Sequence, residues 1–295
     1  MNLYDMHADT PYRIFKLGTN FFDERLHISP DKIKDISNYH QIFAIWCDKE
    51  FDNETVYKNF FKIRNDFLNC YASASLANLQ FDFSVEDARL LNGKIERLDI
   101  LQKSGVKILT LAWQGNSVIG GAYDTENGFT EFGKKTVCRC FELGIIPDVS
   151  HASRKMISEL YEMSAERQLP FVATHSNSFS VYPHKRNLTD DDFMKIKDAK
   201  GIVGISFAPE HICKNEAHIC DIIKHIEHYF SLDGEDIVCL GCDFDGISSC
   251  PVEIPDISYI HLLKNELYKL GYNSRQIEKL FFENAFNFMN KYNKG

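Results

Sequence analysis

The chain opens with Leu3-Tyr4-Asp5-Met6-His7-Ala8-Asp9, a short β-rich run that ends in a histidine and an aspartate. Seven further β-rich runs follow, separated by segments that are long and polar enough to form surface helices. This alternation predicts a parallel sheet, and eight units predict an α/β fold of the closed (β/α)₈ TIM barrel type. The predicted strands cover residues 3–8, 41–46, 79–85, 106–112, 145–150, 170–174, 201–207 and 237–241.

Helices are predicted between these strands, among them 133–143, 153–167, 189–199 and 217–230. No low-complexity stretch, long charge run or Gly/Ser/Pro-rich linker interrupts the 295 residues. We therefore expect a single barrel domain over residues 1–295, with a helical extension at its C-terminal end.

Composition narrows the range of partners. The net charge of −9 disfavours nucleic acids and anionic membranes, because both are bound by basic surfaces. No run of about 18 uncharged apolar residues is present, so no membrane span is predicted. The first residues lack the basic and apolar segments of a secretory leader, and an odd number of cysteines disfavours a disulfide framework. We expect a cytoplasmic protein with reduced thiols that acts on a small molecule.

The reactive side chains of this sequence stand at one end of the predicted strands. In a (β/α)₈ barrel the C-terminal strand ends meet at one mouth, where enzymes of this fold have their active sites. Residues that are distant in sequence would therefore meet in one pocket. They are His7 and Asp9 after the first strand, Glu86 after the third, His151 after the fifth, His175 after the sixth and Asp243 after the eighth.

These residue types suit a metal site. His7 and Asp9 stand at i and i+2, so in an extended chain both point to the same side and can bind one cation. Two histidines and a carboxylate suit zinc, and such a site also accepts manganese or cobalt. A carboxylate at Glu86 can bridge two cations, but it can also simply stabilise a helix N-terminus through the helix dipole. The residues alone leave these two interpretations open.

Six segments carry these and neighbouring polar residues, and they are Asp5-Met6-His7-Ala8-Asp9, Val85-Glu86, Asp148-Val149-Ser150-His151, His175-Ser176-Asn177, Lys185-Arg186-Asn187 and Gly241-Cys242-Asp243-Phe244-Asp245-Gly246. In their order along nearly the whole chain they resemble the motifs of the renal (membrane) dipeptidase family, peptidase family M19. The step of eleven residues from His175 to Arg186 also resembles the spacing of that family. The stretch 277–289 is loosely similar to its last helix.

The resemblance implies a zinc-dependent dipeptidase with two zinc ions per chain. His7 and Asp9 would bind the first ion, and Glu86 would bridge it to the second. His151 and His175 would complete the second site. A water shared by the two ions would ionise near neutral pH and attack the peptide carbonyl, while zinc takes up the negative charge that develops on oxygen.

The resemblance also implies roles in substrate binding and proton transfer. Arg186 would bind the C-terminal carboxylate of a dipeptide through a bidentate, charge-assisted pair. Asp243 would take a proton from the attacking water and deliver it to the leaving amine. Periodicity does not separate Asp243 from Asp245, and Asp243 is chosen from the resemblance. Tolerance of a D-residue at the C-terminal position and a homodimer are further expectations from the family.

The chain departs from the family pattern at two places. Vertebrate members carry a histidine after the fourth strand, thought to steady the tetrahedral intermediate, and the matching residue here is Trp113. A tryptophan at such a place more commonly forms a wall of the substrate pocket. The family usually has glycines after the bridging glutamate, whereas this chain reads Glu86-Asp87-Ala88-Arg89. We expect the shape of that loop to differ.

Two other functions are compatible with the barrel. A second enzyme class would keep both metals but hydrolyse another amide or a lactone, since a fold does not fix a substrate. Equal cleavage of dipeptides that lack the terminal carboxylate would favour this class. The third class is a binding protein without catalysis, against which the presence of all five metal ligands argues. Bound metal without turnover of any dipeptide would favour it.

Overall fold

A curled parallel sheet forms the centre of the computed structural model, which describes residues 1–74 and 76–292. Its strands, within those residues, are β1 (Asn2–Ala8), β2 (Asn38–Ile45), β3 (Leu79–Glu86), β4 (Val106–Thr110), β5 (Ile146–Asp148), β6 (Val203–Ile205) and β7 (Val238–Leu240). They lie in the order β5-β4-β3-β2-β1-β7-β6, and every pair of neighbours is parallel. Parallel neighbours require long crossover connections, which the helices supply.

A two-residue segment connects the two edges of this sheet. Val172 forms a parallel bridge with Asp148 of β5, and Ala173 forms one with Val203 of β6. These bridges close the sheet into eight positions, and the predicted α/β barrel is confirmed. The predicted sixth strand is reduced to these two residues, because the N–H of Thr174 is bonded to the side chain of Asp148 and not to a neighbouring strand.

Helices connect most of the strands, and the predicted ones are present with ends shifted by at most two residues. Side chains mark several of their starts: Ser153 accepts a hydrogen bond from the N–H of Met156, and Thr189 forms a capping box with Asp192. The α-helices of the described residues are α1 (Thr10–Leu17), α2 (Pro30–Ile33), α3 (Asn53–Ala74), α4 (Arg97–Lys103), α5 (Glu131–Leu143), α6 (Arg154–Arg167), α7 (Asp190–Asp198), α8 (Pro209–Ile212), α9 (Ile219–Ser231), α10 (Ile260–Lys269), α11 (Ser274–Glu278) and α12 (Asn284–Tyr292).

Buried apolar residues form two clusters. The larger one packs the strands against the surrounding helices. The smaller one combines residues from many strands with residues from α12 and the π-helical turn Lys279–Glu283 that precedes it. Because residues from different sides of the sheet contact each other there, this cluster fills the inside of the barrel. Its members are Tyr4, Met6, Ile42, Ile108, Ile146, Val172, Ile202, Cys239, Phe282, Ala285, Phe288 and Met289.

A bulge in β1 lies beside the reactive end of the barrel. The pairing of β1 with β2 shifts register between Asp5 and Ala8, next to His7. Such a shift changes the direction in which the following side chains point. Strand β1 can therefore place apolar residues inside the barrel and polar residues at its mouth. None of the described helices combines the length and apolar character needed to cross a bilayer.

Candidate metal centre

The C-terminal strand ends bring the predicted ligands together. His7 lies at the end of β1, Asp9 follows that strand, and Glu86 is the last residue of β3. His175 follows the segment that closes the barrel, and His151 follows β5. Four of the five are buried, and the side chain of His151 is 12% exposed. The five predicted ligands therefore form one cluster.

The carboxylate of Glu86 lies between two groups of side chains. Its Oε1 is 3.0 Å from Nε2 of His151 and 3.5 Å from Nε2 of His175. Its Oε2 is 3.7 Å from Nε2 of His7, and that nitrogen is 3.4 Å from Oδ2 of Asp9. Each oxygen of Glu86 thus faces a different group, which is the arrangement of a carboxylate that bridges two cations.

Several ligand atoms of this cluster lack hydrogen-bond partners among the described residues. Nε2 of His7 and Oδ1 of Asp9 are buried without one, although buried polar atoms are normally satisfied. The possible ligand atoms of His7, Glu86 and His175 all lie within 4.8 Å of one another, as do those of His7, Asp9 and Asp243. Nitrogen and carboxylate donors in this number fit divalent cations such as zinc.

A buried network fixes the orientation of His175. Oδ2 of Asp148 accepts hydrogen bonds from the hydroxyls of Thr110 and Thr174, at 2.6 and 2.7 Å. The only hydroxyl proton of Thr174 is thereby used, so its oxygen accepts from Nδ1 of His175 at 2.8 Å. Nδ1 then carries the ring proton, and the lone pair of Nε2 points at Glu86 and His151. This is the tautomer that a metal ligand requires.

The two histidines of this group are held neutral. Burial, and after it the nearby guanidinium of Arg186, lowers the pKa of His151 to about 4. Burial and the charge of His7 lower the pKa of His175 well below its ordinary value. Their Nε2 atoms are 3.0 Å apart. Neutral imidazoles bind a metal ion without first releasing a proton.

The carboxylates near His7 carry more negative charge than their surroundings can neutralise. Burial, and after it the charge of Glu86, raises the pKa of Asp9 to about 6. Burial also raises the pKa of Asp243 well above its ordinary value, with Asp9 and Glu86 adding to the effect. Burial alone would lower the pKa of His7, but Glu86 and Asp9 outweigh it and raise that pKa strongly. This half of the site therefore favours positive charge.

The structure separates the two aspartates that periodicity left equivalent. Asp245 is buried, and its oxygens accept hydrogen bonds from the hydroxyl of Thr10 and the backbone N–H of His27, both at 2.6 Å. It thereby ties the loop at His27 to the barrel. Both aspartates line the cavity, but Asp243 lies beside Asp9 among the candidate ligands. Among the described residues Asp243 holds no loop in this way, so its carboxylate is the one available to a substrate.

Four of the eight non-glycine residues that have a positive φ among the described residues lie at the same mouth. Asp87, His151, Asp243 and Asp245 have φ values of 72°, 68°, 63° and 67°, which non-glycine residues rarely adopt. Gly246 approaches so closely that a Cβ there would overlap carboxylate oxygens of Asp9 and Asp243. Strained conformations of this kind persist where the surrounding structure holds them, and they cluster at functional sites.

Arg186 lies behind the cluster of ligands. It is 3% exposed, and its terminal nitrogens donate to the hydroxyl of Ser176 and the backbone oxygen of His175, both at 2.8 Å. Its Nε has no partner among the described residues. A guanidinium has five N–H donors, so donors remain for a carboxylate that enters the site.

A cavity of about 400 Å³ opens above the cluster. Trp113 forms part of its wall, as the sequence predicted, with its ring 5.0 Å from that of Trp46 and 6.1 Å from that of His151. The ring of Trp46 in turn meets Tyr12 edge-on at 4.8 Å. This aromatic wall leaves room for a small ligand and not for a folded chain.

Sequence reasoning missed several residues of the site. Asp148 stands in one of the six motif segments, but the sequence pattern indicates a role only for His151 in that segment. Thr174 precedes a predicted ligand and gave no signal of its own. The remaining lining residues come from helices and loops, where the strand-end pattern does not apply, and they include Arg13, Lys16, Tyr123, Glu210 and His211.

Comparison with known proteins agrees with this arrangement. Residues 71–294 match the model of the membrane dipeptidase family, peptidase family M19. The chain belongs to this family. It is therefore classed with the metallopeptidases, which are hydrolases that use a metal cofactor and act on peptides.

Two curated relatives and three solved structures illustrate the match. An uncharacterized protein in the pqqA 5′ region of Klebsiella pneumoniae is 31% identical over 213 residues, which cover 68% of this chain and 77% of that protein. Dipeptidase TcpJ of Claviceps purpurea is 25% identical over 276 residues, which cover 91% of this chain but only 62% of that protein.

The solved structures show the same fold. Dipeptidase AC, a metallopeptidase of family M19, has a TM-score of 0.88 and 24% identity, with 98% of both chains covered. A metallopeptidase from Rhodobacter sphaeroides, liganded with a phosphinate mimic of the dipeptide L-Ala-D-Ala, has a TM-score of 0.86, 22% identity, and 98% and 99% coverage. The probable dipeptidase PvdM from Pseudomonas aeruginosa has a TM-score of 0.83, 18% identity, and 100% and 96% coverage.

Proposed function

We propose that this protein is a dipeptidase that uses two zinc ions. The observation that carries the proposal is the position of Glu86, whose two oxygens face two separate groups of possible ligands. His7 and Asp9 would hold one ion, His151 and His175 the other, and Glu86 both. When bound, the ions supply a water that ionises near neutral pH and a Lewis acid for the peptide carbonyl.

Asp243 is proposed to move the proton. It lines the cavity beside Asp9, and its side chain is not used to hold the surrounding loops, unlike that of Asp245. A carboxylate in this place accepts a proton from the attacking water and passes it to the nitrogen of the leaving residue. Burial, and after it the neighbouring carboxylates, raises the pKa of Asp243 and so favours the protonated form that must be reached before the proton is delivered.

Arg186 is proposed to bind the C-terminal carboxylate of the substrate. Ser176 and the backbone of His175 hold the guanidinium in a fixed orientation, and its unpartnered Nε supplies a donor. A buried arginine recognises a carboxylate by both charge and geometry. This recognition favours peptides whose free C-terminus lies one residue beyond the cleaved bond, as it does in a dipeptide.

The stereochemistry is part of the same proposal. The Rhodobacter sphaeroides protein is liganded with a mimic of a dipeptide whose second residue is D-alanine. We propose that this chain also accepts a D-residue at the second position, with Trp113 forming the wall beside it. A cytoplasmic location and a homodimer stay predictions.

The test is hydrolysis of L,L and L,D dipeptides by the purified protein as isolated, after chelation, and after zinc is added back. We expect cleavage that chelation abolishes and zinc restores, with about two zinc ions per chain by mass spectrometry. C-terminally amidated dipeptides serve as controls, because they keep the peptide bond and lose the carboxylate. Equal cleavage of the amidated peptides would contradict the role of Arg186 and favour another amide or a lactone as substrate. Absence of cleavage from fully metallated protein would contradict the function as a whole.

A further inference from the structure

The walls of the cavity carry opposite charges. Helix α1 begins at the mouth and supplies Arg13 and Lys16 to one wall. Helix α8 supplies the exposed carboxylate of Glu210 to another part of the wall. Glu210 lies near Tyr123, whose pKa is raised mainly by burial, then by Asp124, and to a smaller extent by Glu210. The two basic residues lie one helical turn apart, so their side chains lie on the same face of α1.

Arg13 differs from the other arginines of the chain. All ten arginines are among the described residues, and eight of them have a hydrogen bond or ion pair through the side chain. Arg13 and Arg275 have none. Arg275 is exposed on the outside of α11, whereas Arg13 is half-buried and lines the cavity. An arginine that faces a pocket without a partner is available to an anion.

Lys16 supports Arg13 more weakly. Its Nζ is 3.7 Å from Oδ2 of Asp48, and its side chain is 52% exposed. The pair is therefore screened by solvent, and the ammonium contributes mainly positive potential at this wall. Arg13 supplies the directed donors.

The two arginines of the site are connected to different groups of candidate ligands around Glu86. Arg186 bonds to the backbone of His175, which belongs to the group at Oε1 of Glu86. The backbone N–H of Arg13 bonds to the backbone oxygen of Asp9, which belongs to the other group. A dipeptide with its carboxylate at Arg186 and its peptide bond above Glu86 would therefore extend its first residue toward α1.

We propose that Arg13, assisted by Lys16, selects dipeptides whose first residue has an acidic side chain. This inference rests on the dipeptidase function proposed above and names its substrate class. Glu210, on the part of the wall near Tyr123, makes the selection directional, because its charge repels an acidic side chain on the second residue. Glutamyl and aspartyl dipeptides with a neutral second residue fit both walls.

The test compares kcat/KM for Glu-Ala, Gln-Ala and Lys-Ala, each with L- and D-alanine, on the zinc-loaded enzyme. Glutamate and glutamine have nearly the same shape, so their ratio isolates the charge. We expect Glu-Ala to be preferred over Gln-Ala by about tenfold or more, the size of a charge-assisted hydrogen bond. Arg13→Gln should remove the preference, Arg13→Lys should retain part of it, and Arg13→Glu should shift it to Lys-Ala. Arg275→Gln, which removes the other unpartnered arginine, should leave every ratio unchanged.

The outcomes separate this inference from the function on which it rests. A wild-type enzyme that cleaves Glu-Ala and Gln-Ala equally would overturn the role of Arg13 and leave the dipeptidase standing. If Arg13→Gln lowered kcat/KM for all three dipeptides by the same factor, Arg13 would bind a group common to every dipeptide, and the proposed selection would be wrong. If the zinc-loaded protein cleaved no dipeptide at all, the dipeptidase function would fail, and this inference with it.

Discussion

The two ends of the barrel are built on different principles. At the C-terminal strand ends, buried polar atoms lack partners, carboxylates crowd together and four non-glycine residues adopt left-handed backbone conformations. Below this mouth, the interior is filled by apolar residues from the strands and from α12. Within this apolar cluster, only Tyr4 and Cys239 carry a polar hydrogen on the side chain. The groups at the mouth lower the stability of the fold, and the apolar packing below the mouth compensates for that loss.

This difference teaches which residues should affect activity and which should affect stability. A stable barrel requires the apolar packing. Catalysis requires polar groups whose hydrogen bonds are not all made within the protein. Substitutions at the mouth should therefore change metal binding or turnover with little loss of stability. Substitutions in the apolar cluster should do the reverse.

The largest effect is expected from Glu86→Gln. The amide keeps the size of the side chain but removes the charge that faces both groups of ligands. We expect kcat/KM on the best dipeptide to fall by at least about a thousandfold, with fewer than two metal ions per chain by mass spectrometry. Glu162→Gln, at an exposed position of α6, is the control. Full metal content and activity in the Glu86 variant would remove the basis of the two-metal proposal.

Phe282→Ala tests the other end of the barrel. Phe282 is 8% exposed, and its ring packs against Tyr4, His40 and Phe286. Removing it leaves a cavity, so we expect the free energy of unfolding to fall by about 3 kcal/mol or more in urea titrations. Phe22→Ala removes an exposed ring and should cost much less. The folded fraction of the Phe282 variant should keep its kcat, and a large loss of kcat would show that the two ends are coupled.

Asp243→Asn and Asp245→Asn sharpen the comparison within the mouth. We expect Asp243→Asn to lower kcat by about a hundredfold with little change in stability, because the carboxylate that transfers the proton is lost. Asp245→Asn should lower the free energy of unfolding by about 1–2 kcal/mol, because the bonds to Thr10 and His27 weaken. Thermal unfolding and single-dipeptide kinetics on both variants distinguish the roles. A larger loss of kcat in the Asp245 variant would exchange them.

The barrel and the clustering of the candidate ligands at its mouth could be predicted from the sequence because both depend on local patterns. A β-rich run that ends in His151 or in Asp9 shows its strand and its reactive end together. Parallel strands then bring such ends to one edge without further information. The predicted sixth strand, residues 170–174, was longer than the observed one, since the side chain of Asp148 accepts the hydrogen bond from the N–H of Thr174 that a longer strand would use.

The substrate side of the site could not be predicted in the same way. Arg13 lies in a helix, where nothing in the local pattern shows that its guanidinium lacks a partner. The choice between Asp243 and Asp245 depended on which of them Thr10 and His27 bind, and those contacts join residues that are more than 200 positions apart. Such roles depend on side-chain contacts between residues that are far apart in the sequence. The periodicity of the sequence does not indicate these contacts.

The smallest effect is expected from Thr174→Val, which tests the network beneath the ligands. Valine keeps the shape of threonine but cannot accept the hydrogen bond from Nδ1 of His175. His175 then loses the partner that fixes its tautomer, so we expect zinc to bind about tenfold more weakly in competition with a chromophoric chelator. Thr136→Val is the matched control, because that buried hydroxyl bonds only to a backbone oxygen within α5.

Thr110→Val tests whether the weakening of zinc binding depends on direct contact with His175. The hydroxyl of Thr110 donates to Asp148 and does not contact His175, so its loss should weaken zinc binding less than the loss of the Thr174 hydroxyl. If Thr110→Val and Thr136→Val leave zinc affinity unchanged while Thr174→Val weakens it, the path from Asp148 through Thr174 to His175 orients the ligand. If all three variants bind zinc as tightly as the wild type, the packing of the mouth fixes His175 without the network. Packing, which stabilises the interior of the barrel, would then also fix the residues directly beneath the candidate ligands.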